Sequence, residues 1–351
     1  MDKKVYIATF FTWKSYGAVL QAAALNRFLN DQGYDARTID YEFQDLDRKK
    51  PHYWRKAVKD RVRDLLIRRH EWRSKAFIHK HIRLTEAYRR AEDLKQLDAD
   101  NVFFVAGSDQ IWNAMLCHDF FFLRFVSKGK KLSYAASMGN CDIPEKNKVK
   151  FERYIREMDR ISVRESAMLP VVGTIAKQPC EWHIDPTLLM PQERWSNCER
   201  PYLLKKPYIL VYPLYWNPEY NMILQRLNRQ TGLDIVALSA SRKVFCTRRI
   251  LNADPGQFLY LIHHAEGVVT SSFHGTVFSL IYRKPLGVVV NPAAPDRIED
   301  LLERFGFRNA IIQSNTQDLV HLDYLHFEAQ LEKERKRTQR YFAEMIGDPN
   351  D

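Results

Sequence analysis

The chain has 351 residues, enough for two domains with separate cores, and its 45% hydrophobic and 28% charged content is that of a folded globular protein. No apolar run reaches bilayer-spanning length. The five cysteines (Cys117, Cys141, Cys180, Cys198, Cys246) form no CxxC pair, which argues against a disulfide framework or a thiolate zinc site and fits a reducing cytoplasm. The net charge of +11 is local: residues 48–90 hold sixteen Lys and Arg against four Asp and Glu, and the remainder is close to neutral.

Residues 4–10 (KVYIATF) read as a buried strand and not a signal peptide, because Lys14 and polar residues interrupt the apolar run. The loop FTWKSYGA follows, then a helix, AVLQAAALNRFLNDQG, with Val19, Leu20, Ala23, Ala24 and Phe28 as its stripe and Gly33 as its stop. The strand DARTIDYE completes a β-loop-α-β opening, which predicts a parallel sheet. Segment 48–90 is predicted helical from Trp54, Val58, Val62, Leu65 and Leu66 at helical spacing. Next come the strand NVFFVAG with the loop SDQIWN at its carboxyl end, the strand and turn KLSYAASMG, and a helix marked by Phe151, Tyr154, Ile155 and Met158. The strands RISVRE and WHIDPTLL follow, and residues 190–206, with Pro191 and Pro201, read as a linker.

A second alternation begins near Lys206: strand KPYILVYPL, helix PEYNMILQRLNRQTG, strand LDIVALSA, helix PGQFLYLIHHA, strand EGVVTSS, helix GTVFSLIYRK and strand PLGVVV. The predicted class is α/β, with two Rossmann-like domains facing a cleft. Residues 1–190 form the first domain, with 48–90 as a basic helical insertion, and residues 207–324 the second. Residues 325–351, with a charged helix over 325–346, are expected to pack back on the first domain. In open parallel sheets ligands collect at the carboxyl ends of the strands, so the loops there carry the chemistry.

Four loops qualify. In TSSFHGTVFSLIYRKP (270–285) a strand ends and a helix begins. Ser271, Ser272, Gly275 and Thr276 at that helix start suit a phosphate or carboxylate, and His274 can hydrogen-bond an anion or move a proton near neutral pH. The competing reading has a serine capping the helix and His274 filling a polar gap. GSDQIWN (107–113) gathers Asp109, Gln110, Trp112 and Asn113: amides and an aromatic face for a sugar, and Asp109 as general base toward a hydroxyl. A Ser-Asp turn beside a half-buried tryptophan explains it equally. Lys14, Ser15 and Tyr16 precede the first helix, as an anion site or as a plain cap. Arg164 in ISVRE can grip an anion in a bidentate way, or pair with Glu165 or Asp185. His79/His81 and His263/His264 have no acidic or thiol residue at ligand spacing, so packing roles are read for them and no metal is expected. The phosphate-loop, GxGxxG and GxSxG patterns are absent.

Together GAVLQAAAL, GSDQIWN, SYAASMG, ISVRE, IDPTLL and SSFHGTVFSLIYRKPL, in this order from about residue 5 to 310, resemble the polysaccharide pyruvyltransferase family. The resemblance implies a fold similar to the GT-B glycosyltransferases, with phosphoenolpyruvate as donor substrate and no cofactor. The implied acceptor is a hexose in a cell-surface polysaccharide or its lipid-linked precursor, and the product a cyclic pyruvate ketal. By motif, His274 matches the family's histidine before glycine, at the donor, and Arg164 an arginine suited to the donor anion. Some members carry an arginine where this chain has Ser272. The expected site thus has His274 and Asp109 as catalytic groups. Arg164, Ser271, Ser272, Gly275, Thr276, Lys14 and Ser15 are placed on the donor, and Gln110, Trp112, Asn113 and Tyr16 on the acceptor. A GT-B-type sugar-nucleotide glycosyltransferase is the alternative, but no acidic residue is placed for a ribose. Segment 48–90 is either a solvated face or a peripheral contact with anionic membrane, with nucleic acid ranked well below both. The expected location is cytoplasmic, and peripheral at the inner face of the membrane only under the membrane-contact reading of 48–90.

Overall fold

The computed structural model describes residues 3–12, 14–42, 61–139, 142–214, 216, 218–291, 296–313 and 319–347. The chain divides into two compact units, Met1–Pro186 with Lys336–Asp351, and Thr187–Arg335.

In the first unit, β1 (Lys4–Ala8), α1 (Tyr16–Asp31), β2 (Asp35–Tyr41), α2 (Arg61–His81), β3 (Leu84–Tyr88), β4 (Phe103–Ala106) and β5 (Lys130–Ser133) build a five-stranded parallel sheet of order β3-β2-β1-β4-β5. After α3 (Glu145–Arg156), the pair β6 (Ile161–Val163) and β7 (Cys180–Trp182) flanks α4 (Met168–Ala176). Bridges Leu132–Arg160 and Ala136–Val163 join β6 to β5. The central strands are apolar on both faces, as a covered parallel sheet requires: Val5, Ile7, Phe104 and Val105 have no exposed surface. Ser15 caps α1, and the helix is buried almost all round instead of along one stripe. Its alanines, Ala22 to Ala24, lack the bulk to hold neighbours away.

The second unit contains α5 (Gln192–Ser196), β8 (Tyr208–Tyr212), α6 (Pro218–Thr231), β9 (Asp234–Leu238), β10 (Arg248–Ile250), α7 (Pro255–His263), β11 (Gly267–Thr270), α8 (Phe273–Ile281), β12 (Leu286–Val288) and α9 (Asp296–Arg304). Its sheet, β10-β9-β8-β11-β12, is parallel throughout and repeats the strand order of the first. The last helix, α10 (Phe327–Ile346), passes from the second unit into the first at Lys336.

Two expectations change. Residues 190–206 are not a linker: they hold α5, and Trp195 is fully buried there, edge-on to Phe278 at 5.0 Å. Segment 48–90 is not helical throughout. It contains α2 and then β3, which pairs in parallel with β2. Residues 43–60, including Trp54 and Val58, lie outside the described residues.

Candidate functional site

In each unit the strand order reverses beside the first strand, between β1 and β4 and between β8 and β11, and ligands in such parallel sheets bind at the carboxyl ends there.

In the first unit the loops after β1, β4, β6 and β7 are tied by buried polar groups. Gln21 in α1 donates from Nε2 to Thr9 Oγ1 (2.9 Å) and to the Phe10 carbonyl (2.8 Å), and Thr9 donates to the Ser108 carbonyl (3.0 Å). Ser108 Oγ donates to Asp185 Oδ2 (3.2 Å). Arg164 donates to the same carboxylate oxygen at 2.8 Å and to Glu165 Oε1 at 3.0 Å. Burial alone would lower the Arg164 pKa, but the charges of Glu165, Asp185 and Asp109 outweigh it and hold the guanidinium firmly protonated. Asp109 follows with φ 69° and ψ −177°, a backbone region that is almost exclusive to glycine and costs about 1–3 kcal/mol. Its carbonyl accepts from Ile111 (2.7 Å) and Ser137 (3.0 Å), which keeps it there.

In the second unit, β11 leads directly into α8. Ser272 is the N-cap and accepts from the Gly275 N–H at 3.2 Å. Ser271 Oγ accepts from the Leu214 N–H at 3.1 Å, which ties the turn to the loop after β8. Thr270 Oγ1 donates to the Tyr212 carbonyl (2.7 Å) and accepts from the Ser272 N–H (3.0 Å). Gly275 is required by close approach: a Cβ there would run into the Thr270 hydroxyl. Thr276 Oγ1 donates back to the Ser272 carbonyl at 3.0 Å. His274 stands in this first turn, 8% exposed, with the Phe273 ring edge-on to its imidazole at 5.3 Å. The positive end of the helix dipole points out of the turn, so the arrangement favours an anion.

The structure therefore separates the expected residues by role. His274, Gly275 and Asp109 occupy the strand ends where chemistry belongs. Ser271, Ser272 and Thr276 spend their hydroxyls on backbone and shape the turn. Ser15 caps α1, and Lys14 beside it is exposed. Tyr16 is half-buried, its ring edge-on to His70 at 6.4 Å. Gln110 lays its amide against Gly139, and Asn113 accepts the Met115 N–H at 3.0 Å.

Trp112 offers no open face to a sugar: it has no exposed surface, stacks on Phe122 at 5.7 Å and donates its indole N–H to the Phe121 carbonyl. The Arg164 side chain is 3% exposed and pairs with two carboxylates, the ion-pair alternative that the sequence offered. Gln21 and Ser108 were missed. Gln21 had a visible signal, an amide within an otherwise apolar helix face.

The repeated strand order, with polar loops at each switch point, defines an α/β protein of two Rossmann-like units. Among known families, that of polysaccharide pyruvyl transferases matches residues 16–292. The chain belongs to this family and is a transferase. No curated protein sequence matches it. Similar solved structures include UDP-GlcNAc 2-epimerase from Methanocaldococcus jannaschii (11% identity, TM-score 0.49, covering 96% of this chain and 92% of that one). The epimerase from Neisseria meningitidis bound to UDP-GlcNAc gives 10% identity and a TM-score of 0.48, over 99% of this chain and 94% of that one. The S. aureus MnaA–UDP structure gives 12% and 0.49, over 99% and 92%. Likeness at this level adds nothing to what the strand order already says.

Proposed function

We propose that this pyruvyl transferase takes phosphoenolpyruvate as donor and closes a pyruvate ketal on two hydroxyls of a hexose, in a cell-surface polysaccharide or its lipid-linked precursor, releasing phosphate. The observation that carries the reading is His274 in the first turn of a serine-capped helix at the carboxyl end of β11. The donor carries about three negative charges near neutral pH. The α8 N-terminus, with its partial positive charge, is placed to meet it.

His274, as imidazolium, gives a proton to the donor's methylene carbon, and the adjacent carbon becomes electrophilic. A sugar hydroxyl adds there as it gives up its proton. The C–O bond to phosphate then breaks, and the second hydroxyl closes the ketal. The two hydroxyl protons end on the new methyl group and on phosphate, so the sequence balances without an oxidant or reductant. His274→Ala is expected to slow phosphate release from phosphoenolpyruvate about a hundredfold or more. Release at the wild-type rate removes His274 from the chemistry, and release that requires a nucleotide sugar replaces the reading by glycosyl transfer.

The lipid-linked form of the acceptor draws support from α2. This helix buries Ser74, Phe77 and Ile78 and exposes Trp72 (70%), Lys75 and Lys80, an aromatic among cations as a membrane interface selects. Among the described residues no helix is long and apolar enough to cross a membrane. The expected result is co-sedimentation with anionic vesicles that weakens with salt and with Trp72→Ala. Binding indifferent to both removes the membrane contact.

A further inference from the structure

The fold brings Glu199 to His263 and His264 from 64 residues away. His263 is the last residue of α7 and His264 its C-cap. Glu199 follows α5, and its side chain is 10% exposed. Glu199 Oε1 lies 2.8 Å from His263 Nδ1, and Oε2 lies 4.0 Å from His264 Nδ1. One donor atom from each of the three lies within 4.8 Å of the other two. Around a tetrahedral zinc ion, with ligands at about 2.0–2.2 Å, donor atoms stand roughly 3.3 Å apart.

The surroundings fix these groups as a metal site's outer shell does. The His263 ring stacks on Tyr282 at 4.4 Å and 12°, and the His264 ring on Tyr260 at 3.9 Å and 18°. His264 Nδ1 donates to the Tyr260 carbonyl at 3.0 Å, so the atom His264 would offer a cation is Nε2. The C-terminal end of a helix carries partial negative charge, which favours a cation. The His264 side chain is 47% exposed and leaves an entry path. Two imidazoles with one carboxylate select a borderline cation of the zinc class over calcium or magnesium, with water completing the shell.

We propose that Glu199, His263 and His264 form a site for a zinc-class divalent cation that ties the stretch after α5 to the C-terminal end of α7. The site is structural and independent of the donor reading. The C-terminus of α7 leads to the amino end of β11, whereas His274 follows the carboxyl end of that strand.

The test titrates Zn²⁺ alone into the full chain stripped with a chelator, by calorimetry, and measures Tm with and without the ion. One ion per chain is expected. Glu199→Gln and His263→Gln should each weaken binding at least tenfold and abolish the zinc-dependent rise in Tm. His264→Gln changes an exposed side chain and should weaken binding without lowering the metal-free Tm, which keeps the test valid if the buried variants fold poorly. Cys198→Ser should bind as wild type, since Cys198 Sγ already bonds the Arg194 carbonyl at 3.3 Å. Absence of a saturable site in the wild type, undiminished binding by His264→Gln, or loss of binding in Cys198→Ser overturns the proposal.

Discussion

Arg164 shows how much one side chain's direction decides. A strand-end arginine can face a ligand or turn inward, and here it turns inward against Asp185 and Glu165, whose side chains are 0% and 6% exposed. Removing one member of such a buried pair leaves an uncompensated charge and costs about 3–5 kcal/mol. Arg164→Met should therefore lower the Tm by on the order of 10 °C, at about 2–4 °C per kcal/mol. An unchanged Tm with lost phosphate release returns Arg164 to the donor. The sequence shows every member of this cluster in its motifs, but not who meets whom. Arg164 and Asp185 are 21 residues apart, and Ser108 and Asp185 are 77 apart. That pairing is decided by neighbouring strands, which no local pattern encodes.

Legibility at the level of elements follows apolar content. The central strands and α1 were readable because long apolar runs in covered parallel sheets leave few alternatives. β3 (LTEAY) and β10 (RRI) escaped notice because they are short, polar edge strands held by one neighbour each. Trp112 sits in a loop that sequence marks as polar, but the short helical turn after Asp109 swings it into the Phe120–Phe122 cluster. Loops also depend on single carboxylates. Asp98 accepts N–H bonds from Ser127 (2.7 Å), Lys128 (3.1 Å) and Gly129 (2.9 Å), together with the Ser127 hydroxyl (2.8 Å), and so shapes the entry to β5. Burial alone would raise its pKa, but these donors outweigh burial and hold the carboxyl below its usual range. A folded-state pKa below the unfolded value of about 3.9 gives stability that is present above that pH and lost as pH falls through the folded value. Asp98→Asn should therefore melt below wild type at pH 7, with the gap closing below about pH 4. Melting curves across that range check it, and a gap independent of pH would show that the charge contributes nothing.

At the scale of the whole molecule, one strand order is used twice, and α10 is shared between the two units. Its sequence is strongly charged, yet in the first unit the stretch from Lys336 onward buries Tyr341 and Phe342 to 1% and 0% exposure. Phe342 lies 5.2 Å from the Tyr134 ring. The Tyr134 hydroxyl is 3.1 Å from Thr338 Oγ1, and Tyr341 donates to the Ser133 carbonyl. Arg160 donates to Glu344 at 2.7 Å, and Tyr34 to the Gly347 carbonyl at 3.1 Å. These contacts cover the loop that leaves β5, so the first unit is complete only with residues drawn from beyond the second. Phe342→Ala should cost about 3–5 kcal/mol, as deleting a buried aromatic does. A chain ending at residue 335 should lose cooperative unfolding of the first unit. Limited proteolysis reads this directly, because cutting tracks the population of open chain when reclosing is fast. Cleavage should concentrate between β5 and β7 while the second unit stays protected. A truncated chain whose first unit resists protease as the intact one does would make residues 336–351 dispensable to its core.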